Sequence, residues 1–288
     1  MGILVQEIKP GFGGEVRGAD LARPLDEATF AEVREAFHRY AVLVFPDQDI
    51  TTEQQIAFSE RFGPLEVSLR SDRRRRVDNP AVSDISNVDA DGRIVDPGHE
   101  QAVYNSGNQL WHSDSSFKRV PALASLLHAR EVPPEGGETE YADMRAAWDA
   151  LPEARRRELD GLIAEHDFVY SRSLVGYTQF TPEDRAKVPP VKQVLVRTHP
   201  ATGRKSLYLG SHASFIVGRP VEESRALLRE LLDFATAPRF VYAHRWRVHD
   251  LVMWDNRCAL HRGRPWDESL HRRVMNRTTV AGEGPTVP

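Results

Sequence analysis

The chain has 288 residues, of which 40% are hydrophobic and 28% are charged, a composition typical of a globular protein with a sizeable buried core. Its formal net charge of -4 and isoelectric point near 6.3 argue against a general binder of nucleic acids or of anionic membranes. We expect a cytoplasmic protein without a signal peptide or a disulfide framework, because there is one cysteine, no basic-then-apolar leader and no apolar run approaching the roughly 20 residues that span a bilayer.

Two strands and two helices are predicted in the N-terminal part of the chain. Residues 3–10 alternate between apolar and polar side chains, and residues 41–45 form a short apolar run that is typical of a buried strand. Apolar side chains recur at helical spacing over 26–39, where the leading aspartate can cap the helix. A second helix is predicted over 51–62, capped by one of its two leading threonines.

Residues 66–108 carry many charges and few periodic apolar positions, and we predict a flexible, lid-like loop there. Within this segment, Asp89–Gly92 predicts a hairpin turn. The basic run Arg73–Arg76 is more typical of a solvated patch, and the alternative is a mobile flap over an anionic substrate.

Short strands dominate the remainder of the chain. They are predicted at 122–129, 137–141, 166–170, 194–199, 206–210, 240–246, 250–254 and 274–281, with helices at 143–150, 152–164 and 221–235. There is neither a strand–helix–strand rhythm nor a dinucleotide fingerprint, so a β-sandwich or jelly roll with added helices is favoured over a doubly wound sheet. We expect a single domain over 1–288, because no repeat or low-complexity linker interrupts the chain.

His112 and Asp114 are the first candidates for chemistry. Residues two apart in a strand point to the same face, so an imidazole and a carboxylate would project side by side. A second histidine would complete a 2-His-1-carboxylate facial triad, which leaves open positions for a bidentate ligand and O2. The chain has eleven histidines, so a His-x-Asp pair arises easily by chance and needs a second signal.

The second signal lies near the C-terminal end. An apolar strand at 251–254 leads through a turn to His261. Downstream, Arg273 and Arg277 share one face of a predicted strand, and two inward guanidiniums need anions because unpaired buried charge is costly. A guanidinium fork suits a carboxylate, so one strand could hold two separate carboxylates.

His-x-Asp, a distant histidine and an arginine twelve residues later together resemble the taurine/2,4-dichlorophenoxyacetate family of Fe(II)- and α-ketoglutarate-dependent dioxygenases, and most closely its aryloxyalkanoate branch. Residues 108–117, 136–148 and 250–261 carry the resemblance, which extends more weakly over 3–283. It implies a mainly β fold, a double-stranded β-helix (jelly roll) with flanking helices and helical insertions.

The resemblance also implies a role for each matching residue. The Fe(II) ligands would be His112, Asp114 and His261, the residues at the distal carboxylate of α-ketoglutarate Thr139 and Arg273, and the residues at the primary substrate Arg277, Asn108, Ser86 and His212. Arg277 matches the position that grips the acidic group of the substrate. Arg272 adjoins Arg273, so the two could exchange roles, and Arg273 is preferred because it keeps the four-residue step to Arg277.

Three further side chains have structural interpretations. A satisfied structural histidine is the commoner case for His199 and His212, and His212 remains a substrate candidate only through the resemblance. Cys258 is expected to be a small buried residue and not a nucleophile.

The implied reaction uses Fe(II), α-ketoglutarate and O2 to hydroxylate an sp3 carbon of a small anionic substrate. For an aryloxyalkanoate, ether cleavage would yield a phenol and a 2-oxo acid. A taurine or alkyl sulfate dioxygenase is the alternative within the family; a zinc hydrolase and a non-catalytic jelly-roll binding protein are the alternatives outside it. We expect no nucleic-acid or membrane partner, and a homo-oligomer with contacts through the helices at 143–164 and 221–235.

Overall fold

The computed structural model describes residues 2–67, 76–96 and 98–287. The α-helices in these ranges are α1 (Glu27–Tyr40), α2 (Thr52–Glu60), α3 (Glu100–Ser106), α4 (Met144–Asp149), α5 (Glu153–Leu159), α6 (Phe168–Ser173), α7 (Pro182–Lys187) and α8 (Val221–Ala235). The strands are β1 (Leu4–Lys9), β2 (Phe12–Arg17), β3 (Val42–Phe45), β4 (Val82–Ser86), β5 (Ala124–Glu131), β6 (Thr139–Asp143), β7 (Ile163–His166), β8 (Val191–Val194), β9 (Val196–Thr198), β10 (Lys205–Leu207), β11 (Ala213–Ile216), β12 (Val241–His244), β13 (Leu251–Asp255), β14 (Ala259–Gly263) and β15 (Val274–Val280). None of the described helices is long and apolar enough to cross a membrane.

A seven-stranded sheet, in the order β1-β2-β3-β13-β5-β15-β4, forms the frame of the fold. Its neighbours pair antiparallel except β2 and β3, which run parallel. All five residues of β13 are buried, because apolar clusters cover the middle of the sheet on both faces. The predicted mainly β fold with flanking helices is therefore confirmed.

A three-stranded sheet, in the order β12-β6-β14, packs against one face of this frame. The ring centroid of Tyr141 on β6 lies 5.5 Å from that of Trp254 on β13. The ring of His261 on β14 lies 4.5 Å from the same tryptophan. The core between the two sheets thus supports one of the candidate metal ligands.

Helices α1 and α2 pack on the opposite face of the seven-stranded sheet and begin at the predicted caps. The Asp26 carboxylate accepts a hydrogen bond from Thr29 N at 2.8 Å. Thr51 and Gln54 form a reciprocal capping box, which identifies Thr51, and not Thr52, as the cap of α2. Such caps satisfy backbone N–H groups at a helix start and contribute about 1 kcal/mol each.

Several predicted elements differ from the observed bounds, and two of them differ most. The strand predicted over 166–170 ends at its first residue, because the Asp167 side chain accepts hydrogen bonds from two following backbone N–H groups and starts α6. The helix predicted over 152–164 ends with α5, since Gly161, at a φ of 85°, turns the chain into β7. A helix cap and a glycine decide these boundaries, and the periodicity of apolar side chains reveals neither of them.

Residues 66–108 are not a continuous loop. Strand β4 pairs with β15 at the edge of the large sheet, and α3 follows it. The predicted hairpin turn at Asp89–Gly92 is confirmed, and an antiparallel bridge closes it. In the predicted basic run, 73–75 lie outside the described residues, whereas Arg76 forms an ion pair with Asp84 at 2.7 Å. A lid over the site stays a prediction.

Candidate metal centre

Backbone pairing holds the two histidines of the candidate centre side by side. His112 follows a short 3-10 helix (Gly107–Gln109), and His261 lies on β14. His112 N donates to His261 O at 3.0 Å, and His261 N donates to His112 O at 2.9 Å. The two imidazole centroids are consequently only 4.2 Å apart.

Asp114 completes the cluster. Its Oδ1 lies 3.8 Å from His112 Nε2, and its Oδ2 lies 3.6 Å from His261 Nε2. The ligand atoms of the three residues all lie within 4.8 Å of one another, and each residue is 5% exposed. Two imidazole nitrogens and one carboxylate in this arrangement are the donor set of a 2-His-1-carboxylate metal site.

Neighbouring polar groups orient two of the donors. Leu110 O lies 2.7 Å from His112 Nδ1, so the ring N–H points there and Nε2 is left as the ligand atom. Ser125 Oγ donates to Asp114 Oδ2 at 2.7 Å. Because these partners hold the donor atoms before a metal binds, the centre is preorganised.

The protonation states of the cluster also suit a cation. Burial lowers the pKa of His112 and the pKa of His261 below the ordinary histidine value, so both rings are neutral. Burial alone would raise the pKa of Asp114, but the Arg277 guanidinium outweighs it and holds this pKa well below its usual range. Metal ligation needs a neutral imidazole and an ionised carboxylate, and the cluster has both at neutral pH.

Arg277, the predicted substrate anchor, lies against the cluster. Its Nη1 donates to Asp114 Oδ1 at 2.7 Å, and its side chain is 21% exposed. Its Nε is buried and has no hydrogen-bond partner within the described ranges. Since a guanidinium carries five N–H donors, Arg277 retains hydrogen-bonding capacity for a second anion.

Arg273 is buried and Arg272 is not. Arg273 Nε donates to Gly137 O at 3.1 Å, and Nη2 lies 3.5 Å from Thr139 Oγ1, so both partners are neutral. Burial lowers the pKa of Arg273 to about 10. Arg272, by contrast, is 42% exposed and pairs with Glu131 at 2.9 Å. Of these two arginines, Arg273 is therefore the buried one, and no salt bridge joins it to another described side chain.

Thr139 is held from a second side by an indole. Trp246 Nε1 donates to Thr139 Oγ1 at 3.0 Å, and both side chains are buried. Because the oxygen already accepts hydrogen bonds from Trp246 and Arg273, the hydroxyl hydrogen is directed elsewhere. Sequence analysis identified Thr139 but missed Trp246, which belongs to no motif.

A cavity of about 420 Å³ opens beside the cluster. His112, Asp114 and Arg277 contribute to its wall, as do the predicted substrate residues Asn108, Ser86 and His212. The structure thus brings the four predicted substrate residues together around one space, although they come from four separate stretches of the chain.

Sequence analysis missed a cationic and aromatic part of the cavity wall. The Arg172 guanidinium carbon lies 4.8 Å from the Phe168 ring centroid and 4.9 Å from that of Tyr104, and the rings of Phe117 and Phe168 are 4.5 Å apart. Gly107 makes room for the cation, because an added Cβ would overlap Arg172 Nη1. These side chains come from unconnected segments, so no spacing in the sequence signals them.

A second group with metal-capable atoms, His199, Asp255 and Cys258, is already satisfied internally. Asp255 accepts hydrogen bonds from Arg257 at 2.8 and 2.7 Å and contacts His199 Nε2 at 2.9 Å. Burial raises the pKa of the Cys258 thiol, which stays protonated. The predicted burial of Cys258 is confirmed, and His199 is held by Asp255 as expected of a structural histidine.

Comparison with known proteins places this geometry in a family context. A family model described as "Taurine catabolism dioxygenase TauD, TfdA family" matches residues 4–279. The chain is 46% identical to an α-ketoglutarate-dependent 2,4-dichlorophenoxyacetate dioxygenase of Burkholderia sp. (strain RASC), over 97% of this chain and 95% of that one. It is 40% identical to a (S)-phenoxypropionate/α-ketoglutarate-dioxygenase of Sphingobium herbicidovorans, over 94% and 92% respectively. Among solved structures, AAD-2 in complex with Mn(II) and N-oxalylglycine superposes with a TM-score of 0.93 at 48% identity, covering 100% of both chains.

Proposed function

The chain belongs to the TauD/TfdA family of α-ketoglutarate-dependent dioxygenases, and from this premise we propose that it oxidises a small aryloxyalkanoate carboxylate at the carbon beside the ether oxygen. Family membership sets aside the zinc-hydrolase and binding-protein alternatives. The observation that carries the substrate class is the cavity beside the cluster, where the Arg277 cation and the rings of Phe117 and Phe168 line one space.

We propose that His112, Asp114 and His261 bind Fe(II). Three observations support this proposal: the donor set, the neutral imidazoles with an ionised carboxylate, and the hydrogen bonds that orient the donors. When bound, iron and α-ketoglutarate supply the O2-dependent oxidation of an unactivated C–H bond. The chain would contribute the three clustered donors, and a 2-His-1-carboxylate set would leave positions on iron for other ligands.

Arg273 and Thr139 are proposed to bind the distal carboxylate of α-ketoglutarate. A buried guanidinium whose hydrogen bonds go only to neutral oxygens is poised for a carboxylate, because unpaired buried charge is costly. The Thr139 hydroxyl hydrogen is available to the same carboxylate, since Trp246 occupies the acceptor side of the oxygen. Arg272 does not suit this role, because it is exposed and already paired with Glu131.

The primary substrate is proposed to place its carboxylate on Arg277 and its ring against Phe117 and Phe168. Asn108, Ser86 and His212 then line the remaining wall. Hydroxylation of the carbon beside the ether oxygen gives a hemiacetal, which splits into a phenol and a 2-oxo acid. One oxygen atom of O2 enters the 2-oxo acid, and the other enters the succinate that α-ketoglutarate forms on losing CO2.

Several features of the architecture belong to the same proposal. The seven-stranded and three-stranded sheets would be the two halves of a double-stranded β-helix, the jelly roll implied by the sequence, within a single domain over 1–288. Part of 66–108 would act as a lid, since several of its residues line the cavity. The cytoplasmic location and the homo-oligomeric state stay predictions.

Anaerobic reconstitution followed by product analysis tests this function. The purified chain is loaded with Fe(II) and α-ketoglutarate, and a visible charge-transfer band is expected from chelation at an open iron site. O2 is then admitted with phenoxyacetate, 2,4-dichlorophenoxyacetate, each phenoxypropionate enantiomer, taurine or an alkyl sulfate. Aryloxyalkanoates should stimulate succinate release and yield an equimolar phenol.

Matched variants and the substrate panel separate the outcomes. Asp114→Asn should lose both the band and succinate formation, whereas Asp233→Asn, an exposed change on α8, should retain both. Stimulation by taurine or an alkyl sulfate alone would replace the aryloxyalkanoate proposal with the sulfonate alternative. No band in a chain with a full equivalent of bound iron would refute ligation by the three proposed residues.

A further inference from the structure

Two buried histidines share one serine hydroxyl behind the cavity wall. Ser116 Oγ lies 3.0 Å from His166 Nδ1 and 3.1 Å from His212 Nδ1. The three residues are 1%, 0% and 3% exposed, so the described side chains shield this arrangement from bulk water. Of these three residues, His212 also lines the cavity, so it is the one that a ligand there can reach.

The hydrogen bonds can be assigned by counting donors. Burial lowers the pKa of His166 to about 3 and the pKa of His212 well below its ordinary value, so both rings are neutral and each carries one N–H. The serine has a single hydroxyl hydrogen and cannot donate to both rings. One histidine must therefore donate to Ser116, and the other must accept from it.

The other nitrogen of His166 decides the direction. His166 Nε2 is buried and has no hydrogen-bond partner within the described part of the chain. An orphaned buried N–H is rarer than an orphaned acceptor, so the hydrogen belongs on Nδ1. His166 then donates to Ser116 Oγ, and the Ser116 hydroxyl donates to His212 Nδ1. The remaining hydrogen of His212 lies on Nε2.

The surroundings of His212 give this assignment a consequence for binding. Its ring stacks on Phe168 at 6.0 Å, lies 5.0 Å from Phe117 and is 6.1 Å from the ring of His112. The apolar rings restrict how the imidazole can turn. With Nδ1 held from behind by Ser116, Nε2 is the nitrogen left to face a ligand.

We propose that Ser116 and His166 are positioning residues, forming a relay that fixes His212 in the Nε2–H form as a hydrogen-bond donor to the primary substrate. The substrate class rests on the function proposed above. The Nε2–H of His212 restricts that class to molecules that can accept a hydrogen bond from it. The site selects a molecule with a hydrogen-bond acceptor near the oxidised carbon, such as the ether oxygen of an aryloxyalkanoate. A methylene in place of that oxygen leaves the donor unpaired.

Nitrogen NMR measures the tautomer directly. The full chain, labelled with 15N-histidine and loaded with diamagnetic Zn(II), should give a His212 signal pair with the hydrogen on Nε2, assigned by its loss in His212→Gln. Ser116→Ala should shift the His212 pair towards a mixture of tautomers, and Ser116→Thr, which retains the hydroxyl, should restore it. A wild-type ring with its hydrogen on Nδ1 would overturn the relay.

Substrate discrimination supplies the second readout. Phenoxyacetate and 3-phenylpropionate differ by an ether oxygen in place of a methylene, and loss of one hydrogen bond should lower the wild-type preference for the ether by about tenfold in Ser116→Ala. The change should fall on KM more than on kcat. Ser224→Ala, which removes a buried hydroxyl on α8, should leave the preference unchanged.

The two proposals fail differently. If no aryloxyalkanoate is turned over, the proposed function is wrong, and the NMR arm still decides the tautomer. If aryloxyalkanoates are turned over and Ser116→Ala keeps both the Nε2–H tautomer and the full ether preference, the relay is wrong and the function stands.

Discussion

Arg277 Nη1 lies 2.7 Å from Asp114 Oδ1, so the cation on the wall of the cavity is also the partner of a proposed metal ligand. The two residues are 163 positions apart in the chain. The ion pair restricts rotation of the Asp114 carboxylate. It also lowers the pKa of Asp114, although burial alone would raise it. The proposed metal centre and the proposed substrate anchor are therefore electrostatically coupled.

Replacing Arg277 with methionine is expected to weaken both functions. The Asp114 carboxylate would lose a charge-assisted hydrogen bond, worth about 1.5–3 kcal/mol, and the substrate would lose its cationic anchor. The Kd for Fe(II) and the KM for an aryloxyacetate should each rise by about tenfold or more. Arg277→Lys keeps the charge without the fork and should restore iron binding more fully than substrate binding. Unaltered iron affinity in Arg277→Met would contradict the coupling.

Neighbouring arginines provide a matched pair for the α-ketoglutarate site. Arg273→Gln should raise the KM for α-ketoglutarate by about tenfold or more, because the distal carboxylate loses a buried charged partner. Arg272→Gln removes only an exposed ion pair with Glu131 and should change this KM by less than about twofold. Succinate formation at varied α-ketoglutarate concentrations measures both. The reverse pattern would assign the role to Arg272.

Trp246→Phe tests how Thr139 is oriented. The substitution keeps the aromatic ring but removes the N–H that donates to Thr139 Oγ1 at 3.0 Å. The threonine hydroxyl then gains freedom to turn away from the co-substrate, so the Kd for α-ketoglutarate should rise by about three- to tenfold. Trp148→Phe, a buried change in the core around α4, is the control and should leave this Kd unchanged. Equal effects of the two variants would indicate a general loss of packing.

Gly107→Ala tests the missed part of the cavity wall. The added methyl would overlap Arg172 Nη1 and should displace the guanidinium from its place between Tyr104 and Phe168. We expect the KM for aryloxyacetates to change by about fivefold or more while the KM for α-ketoglutarate stays constant. Gly284→Ala, where an added Cβ meets no atom within 4 Å, is the control. A wild-type substrate profile in Gly107→Ala would show that Arg172 does not shape the cavity in solution.

His128 predicts a loss of stability on acidification. Burial lowers its pKa to about 4 in the folded chain, whereas an unfolded histidine titrates near ~6.5. The contribution of His128 to the free energy of unfolding is fully present above about pH 6.5 and is lost as the pH falls towards 4. The reason is that the unfolded state then binds a proton that the folded state does not. Between about pH 7.5 and 5, urea unfolding of His128→Gln should show a loss roughly 2 kcal/mol smaller than in the wild type. Identical losses would contradict this prediction.

Elements that depend on neighbours along the chain could be predicted from the residues alone. The helical period and Asp26 predicted α1, the range of α8 was predicted in full, and the spacing of His112 and Asp114 identified two donors for one face. Side chains two residues apart share a face in a strand, and side chains three or four apart share a face in a helix, so the pattern along the chain predicts such neighbours. The residue types also indicated the chemistry, because imidazole and carboxylate groups bind metal ions and guanidinium groups bind carboxylates.

Contacts between distant segments, by contrast, depend on how the whole fold packs. It buried Arg273 and exposed Arg272, paired Arg277 with Asp114, and placed Ser116 between two histidines from other segments. The register between β15 and its neighbours sets the position of Arg277, and a shift of one residue would turn each side chain of β15 to the opposite face. This register depends on how the whole sheet packs against the apolar clusters on its two faces. The periodicity of side chains within one segment carries no information about that packing.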